Sequence, residues 1–256
     1  KWIEYGLNVL PIRLIEKDDN NIEKSPIIKK GVLTDVYEGR LFLGSYALEE
    51  EEADAYAICL TPIWRDNKPN FEEWIVGIDC DDQRLAESID ILMTDTSKQK
   101  TKRGYHWLFI INEDIRKHFK DDESYAKHIK VNDFKVEVYL GKRYFVTIGK
   151  GYEVIKDIDS IARLTLKEFM ELRNKIEKLL MLIDILKPFY KEGNRNNIDF
   201  ALEGIFAKSN VSKEEAEKYI RAVCHYFSDN ELKSRLTVLE RTYKRVEEGK
   251  EVAGIS

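Results

Sequence analysis

Between residues 8 and 157 the apolar residues come in short bursts rich in β-branched and aromatic side chains: NVLPIRL, AYAICLT, EWIVGID, YHWLFII, FKVEVYL and YFVTIG. Bursts of this length and composition, bounded by polar and glycine-containing stretches, predict strands. Helical spacing interrupts them at 46–55 and at 83–92. FKVEVYL and YFVTIG, separated by Gly141-Lys142-Arg143, predict an antiparallel hairpin. From Leu164 onward the period lengthens to three and four residues, which predicts four helices. The first, over 165–186, is a long connector. Gly193 with Asn194 and Asn196 supplies the stop of that helix and the cap of the next. Ser212 followed by Glu215 is a capping box, and Asp229 is placed to cap the last helix. The pattern therefore predicts an α+β chain. A mixed, largely antiparallel-sheet domain occupies 1–163, a connecting helix 164–187, and an all-α helix bundle 188–256, with the boundary near Pro188.

Composition narrows the partners. The formal net charge of −5 excludes a protein that simply coats nucleic acid, because such binding is driven by counterion release at clustered Lys and Arg. Any nucleic-acid contact has to be local. No apolar run approaches the ~20 residues that cross a bilayer, so no membrane partner is expected. The opening residues lack the features of a signal peptide. Cys59, Cys80 and Cys224 are odd in number and widely separated, which suits neither a disulfide framework nor a zinc site and fits a reducing cytoplasm. The absence of an initiating Met leads us to expect an excerpt of a longer polypeptide.

The sharpest chemical feature is Trp74-Ile75-Val76-Gly77-Ile78-Asp79-Cys80-Asp81, an apolar strand ending in two carboxylates. Residues i and i+2 share a face of a strand, so Gly77, Asp79 and Asp81 form a small, unobstructed acidic surface opposite Trp74, Val76, Ile78 and Cys80. Carboxylates so close repel, and a divalent cation turns that repulsion into attraction. The bland alternative has these acids merely ending a strand and opening a turn; Asp82, just before a helix, is best read as its cap. Glu137 is a third acid, mid-strand, on the face away from Val136, Val138 and Leu140. Taken alone it reads as a solvent-facing residue; beside the Asp79 strand it would complete a three-carboxylate cluster of the kind that holds two metals. The basic loop Lys98-Gln99-Lys100-Thr101-Lys102-Arg103 enters a strand through Gly104-Tyr105-His106. Its cations, with His106, suit a triphosphate, although a basic loop is often only solvated. Lys142 and Arg143, in a turn shortly after Glu137, are placed to add phosphate contacts, although turns are commonly basic for solvation alone.

In this order the pieces resemble the archaeo-eukaryotic primase superfamily, in particular the primase-polymerases of archaeal plasmids and viruses: an acidic pair at a strand end, a Gly-x-His strand, then a third acid in a strand. The opening Lys1–Ile12 segment is similar to that family's helix and first strand, followed by a lysine-bearing segment at 24–30. Related proteins often have Asp where Glu137 stands, and several carry a zinc-binding insertion that this chain has no cysteine pair to build. The second half resembles the helix bundle that follows the catalytic domain, through Gly193-Asn194-Arg195-Asn196-Asn197, Ala201-Leu202-Glu203-Gly204 and the segment 236–243.

The resemblance implies DNA-templated nucleotidyl transfer, giving primer synthesis and DNA polymerisation during replication of a mobile element. Asp79, Asp81 and Glu137 would bind Mg²⁺ or Mn²⁺. His106, with Arg103, Lys102 and Lys142, would bind the incoming nucleoside or deoxynucleoside triphosphate. Arg195 and Arg241 would contact template, and a fused or associated helicase is expected. The alternatives are a metal-dependent nuclease, which needs the same carboxylates but no triphosphate site, and a non-catalytic DNA-binding replication module.

Overall fold

The computed structural model describes residues 1–18, 21–44, 53–119 and 125–252. The chain is α+β, with antiparallel sheets and with the helices mainly toward the C-terminus. It divides into two compact units.

The first unit comprises residues 1–83, 94–130 and 135–173. One sheet joins β1 (Val9–Asp18), β2 (Asn21–Pro26), β3 (Ala55–Leu60) and β10 (Arg143–Gly149) in the order β10-β3-β1-β2. It curls enough for the Tyr144 hydroxyl on one edge strand to donate 3.1 Å to the Lys24 carbonyl on the other. The larger sheet runs β11 (Glu153–Lys156), β6 (Ser97–Lys100), β7 (Tyr105–Ile111), β5 (Lys68–Cys80), β9 (Phe134–Tyr139), β8 (Ile129–Val131). β4 (Pro62–Arg65) folds back on β5, and β12 (Ala162–Leu164) pairs β7 in parallel. β5 and β7 are buried along nearly their whole apolar stretch, which is why their sequences read as continuous hydrophobic runs.

Two faces of β5 and β7 are thereby used. Ile75, Leu108 and Ile110 join Ile58 and Leu60 of β3 and Phe145 of β10 in a core between the two sheets. On the opposite face Phe109 packs edge-on against Phe169 at 5.5 Å. A further cluster, including Leu10, Ile12 and Val146, fills the other side of the smaller sheet with Val36 of α1 (Lys30–Tyr37).

Three expectations are corrected here. The hairpin of 134–140 with 144–149 does not form: β9 pairs with β5, and β10 pairs with β3 in the other sheet. The turn carries the chain from one sheet to the other, and the Lys142 N–H is taken by the Leu60 carbonyl at 2.9 Å. The helix expected at the start is a set of turns over residues 2–6, closed by Gly6 at φ +89°. Gly77 is not unobstructed, since a Cβ there would stand 2.4 Å from Phe145. The helix expected at 46–55 falls mostly outside the described residues; Ala55 opens β3.

The second unit comprises residues 84–93, 131–134 and 174–256. It takes in most of α2 (Gln83–Asp90), the later part of α3 (Leu166–Leu186), and α4 (Arg195–Lys208), α5 (Lys213–Tyr226) and α6 (Leu232–Glu247). Ser212 caps α5 by accepting from the Glu215 N–H at 3.2 Å. Asn194 sits at the α4 cap without a side-chain hydrogen bond, and α6 starts from Glu231 rather than Asp229. Asp229 accepts from the Glu231 N–H but turns its other oxygen inward, to Tyr190 and Arg235. A buried polar cluster results: Arg235 lies 2.7 Å from Asp199 and 3.1 Å from Asp229, and the Tyr190 hydroxyl contacts both acids. Among the described residues no helix is long and apolar enough to cross a membrane.

Candidate active site

β5 is flanked by β7 on one side and β9 on the other, and the register places Asp79 directly opposite His106 and directly opposite Glu137. Residues far apart in sequence thus stand in one row across three neighbouring strands. The row lies on the face of the larger sheet that also carries the inter-sheet core. The apolar filling gives way there to a cavity of about 260 Å³. Asp79, His106 and Glu137 form one wall; Lys24 of β2 and Tyr144 of β10 come from the smaller sheet, with Arg143 at the start of β10.

His106 is 2% exposed, so its ring is fixed by packing. It lies against Phe145, with ring centroids 4.5 Å apart. Its Nε2 is 3.3 Å from Asp79 Oδ1, an ion-pair distance without hydrogen-bond alignment. Among the described residues, Asp79 Oδ1 and His106 Nδ1 are buried and find no hydrogen-bond partner. Such atoms are costly to bury unless something else satisfies them. Burial works to raise the Asp79 pKa, but His106, then Lys24 and Arg103, outweigh it and hold the carboxyl below its ordinary value. Asp81 moves the other way, raised by burial and by the nearby Asp79 charge, with Arg103 opposing. Burial also works against the Lys24 charge, yet Tyr152, Asp79 and Asp81 leave its pKa raised.

Asp81 lies just beyond β5, half exposed and bridged to Arg103. Glu137 is held by Lys135 and by the Tyr139 hydroxyl at 3.1 Å. Among the described residues no three His, Cys, Asp or Glu side chains converge to hold a metal as they lie.

The loop before β7 approaches β5 very closely. A Cβ at Gly104 would stand 1.8 Å from the Cys80 carbonyl oxygen, so only glycine fits. Thr101 Oγ1 accepts from the N–H groups of Arg103 and Gly104, which fixes the turn that delivers Arg103 to Asp81. Lys102 is exposed on this loop, away from the cavity lining. Lys142 lines an adjoining groove instead and pairs with Glu38 at 3.3 Å. In the second unit Arg195 leans on Asp229 at 3.8 Å and over the Tyr190 ring, while Arg241 is exposed on α6.

Tyr139 and Tyr144 join the site without having been singled out from sequence, whereas Arg143 was named there with Lys142. For Arg143 the signal was its place in the turn after Glu137; nothing in local pattern marks the tyrosines. Lys24 belonged to the lysine-bearing segment, yet only the curl of the smaller sheet brings it to Asp79.

Compared with protein-family models, curated proteins and solved structures, the chain matches none.

Proposed function

We propose that this chain is a metal-dependent nucleotidyltransferase of the primase-polymerase kind, adding nucleotides on a DNA template. The observation that carries the reading is the row Glu137–Asp79–His106, three strands wide, beside cations from the second sheet. A structural acid ending a strand has no need of an aligned carboxylate on one neighbour and an aligned imidazole on the other.

The donor set fits Mg²⁺ or Mn²⁺, which prefer carboxylate oxygens. Asp79, with a buried oxygen that makes no hydrogen bond, would hold the ion together with Asp81 and Glu137. A cation bound there neutralises charge on phosphoryl oxygens and lowers the pKa of a hydroxyl nucleophile. The remaining work falls to side chains. His106, fixed by Phe145, presents an imidazole nitrogen for a phosphate oxygen. Lys24 and Arg143 offer positive charge to the triphosphate. Arg103, which bridges Asp81, is placed to exchange that partner for a phosphate. No side-chain base is needed.

The test is template-dependent synthesis with labelled nucleotides, with and without primer and with Mg²⁺ or Mn²⁺, comparing the protein with Asp79→Ala/Asp81→Ala. Products that vanish in the variant support the reading, and synthesis at an unchanged rate overturns it. Products without primer assign priming as well as extension.

A further inference from the structure

A second depression adjoins the acidic cavity. It is a groove of about 420 Å³, and Tyr37, Tyr139 and Arg143 line both. Beyond those shared residues its floor is Tyr125, packed on the turn at Gly141, where a Cβ would come within 3.1 Å of the ring. Lys142 completes that turn in a left-handed conformation, φ +56°, with its amine 5.3 Å from the Tyr125 ring centroid. The Arg143 guanidinium lies 5.3 Å from the Tyr139 ring centroid.

We infer that this groove seats a single strand of nucleic acid leading into the acidic centre, with bases against the tyrosine rings and phosphates against Lys142 and Arg143. The inference rests on the nucleotidyltransferase reading of the neighbouring cavity and names where its polymeric partner lies. Three features select this occupant. Tyr37 and Tyr139 are half-buried aromatic side chains in the groove wall, a residue type that stacks on any base, and cations beside them follow a backbone. The groove and the cavity share Tyr37, Tyr139 and Arg143 in their walls, so a strand lying in the groove runs beside the cavity that holds Asp79. The chain is acidic overall, so a strand needs a local cationic seat; the 142–143 turn supplies one, with Lys142 exchanging its Glu38 partner on the same groove wall for a phosphate. A duplex would present its bases stacked inward and gain nothing from the rings.

Fluorescence anisotropy with a labelled oligothymidylate tests this, alongside a hairpin duplex of equal length and a base-free oligomer with the same backbone. Two substitutions address the groove outside the cavity: Thr34→Glu and Ala126→Glu each add a carboxylate to its wall. Each is expected to weaken oligothymidylate binding about tenfold. Each should leave the nucleotide-dependent rise in melting temperature with Mn²⁺ as in the parent, which also verifies folding. The single strand should bind more tightly than the duplex and the base-free oligomer. Wild-type affinity in both variants overturns the groove, as does absence of oligothymidylate binding by the parent. Equal binding of the base-free oligomer overturns the stacking role of the tyrosines. Loss of strand binding in the variants, in a protein that shows no nucleotide shift with metal, instead sinks the nucleotidyltransferase reading and leaves the groove standing.

Discussion

Asp79 and His106 face each other across β5 and β7, with Nε2 3.3 Å from Oδ1 in a nearly dry setting. The pair sets the ionisation of the acid. Burial opposes the Asp79 charge, and His106 is the largest influence favouring it. His106→Ala should therefore raise the Asp79 pKa, an outcome read by carboxyl NMR titration. The sign for stability follows: a depressed carboxylate stabilises the fold above its unfolded value of 3.8 and loses that contribution as pH falls through the folded value. The parent should lose stability on acidification more steeply than His106→Ala. Matching acid limbs in the two proteins would show that the pair does not set this ionisation.

Two glycines near the site should differ in kind. Gly77→Ala pushes a methyl group into the Phe145 ring, and overpacking of that sort costs about 1–3 kcal/mol. Phe145→Leu should recover part of it in urea unfolding. Gly104→Ala meets the Cys80 carbonyl, which has nowhere to go, so its cost should be about 4 kcal/mol or more and no side-chain truncation should rescue it.

Much of this arrangement could be read from residue order, and the reasons mark where reading stops. Alternation predicted the faces of β9, where Val136 and Val138 are buried and Glu137 is half-buried, because one face of that strand packs and the other meets the cavity. Alternation also put Asp79 and Gly77 on one side of β5. It could not say that Phe145 would cover Gly77, since that contact comes from the other sheet. The hairpin failed for the same reason: a short glycine-containing turn joins neighbouring strands of one sheet as readily as it carries a chain between two sheets, and only long-range pairing with Leu60 and Cys59 decides.

Glu203 in α4 is fully buried, and among the described residues neither carboxylate oxygen has a hydrogen-bond partner. Burial, then the Asp199 charge, pushes its pKa from 4.5 up to about 8. A raised carboxyl pKa means that the folded unit holds the proton more tightly than the unfolded chain. The stability present below 4.5 is lost as pH rises toward about 8, on the order of a few kcal/mol in all. Glu203→Gln should flatten this fall in thermal unfolding across that window. An unchanged pH slope in the variant would assign the titration elsewhere, Asp199 at about 6 being the next group.

Arg235 stands between Asp199 and Asp229, with its side chain about as buried as theirs. Arg235→Ala takes from Asp199 its 2.7 Å partner and leaves Asp229 only the more distant Arg195, and should cost about 3–5 kcal/mol in denaturant unfolding. Tyr190→Phe removes only a hydroxyl donor and should cost about 1–3 kcal/mol. A reversed order would mean that the phenol, not the guanidinium, holds the cluster together.

The crossing from β9 to β10 gives the site a built-in ruler. Glu137 and Arg143 belong to different sheets, yet a chain of a few residues links the acidic wall of the cavity to its cationic rim. Any sliding of one sheet over the other would stretch that link, so the gap between carboxylate and guanidinium is set by covalent reach as well as by packing. Lengthening the crossing by a single residue would therefore detune the spacing of opposite charges while leaving both sheets able to form.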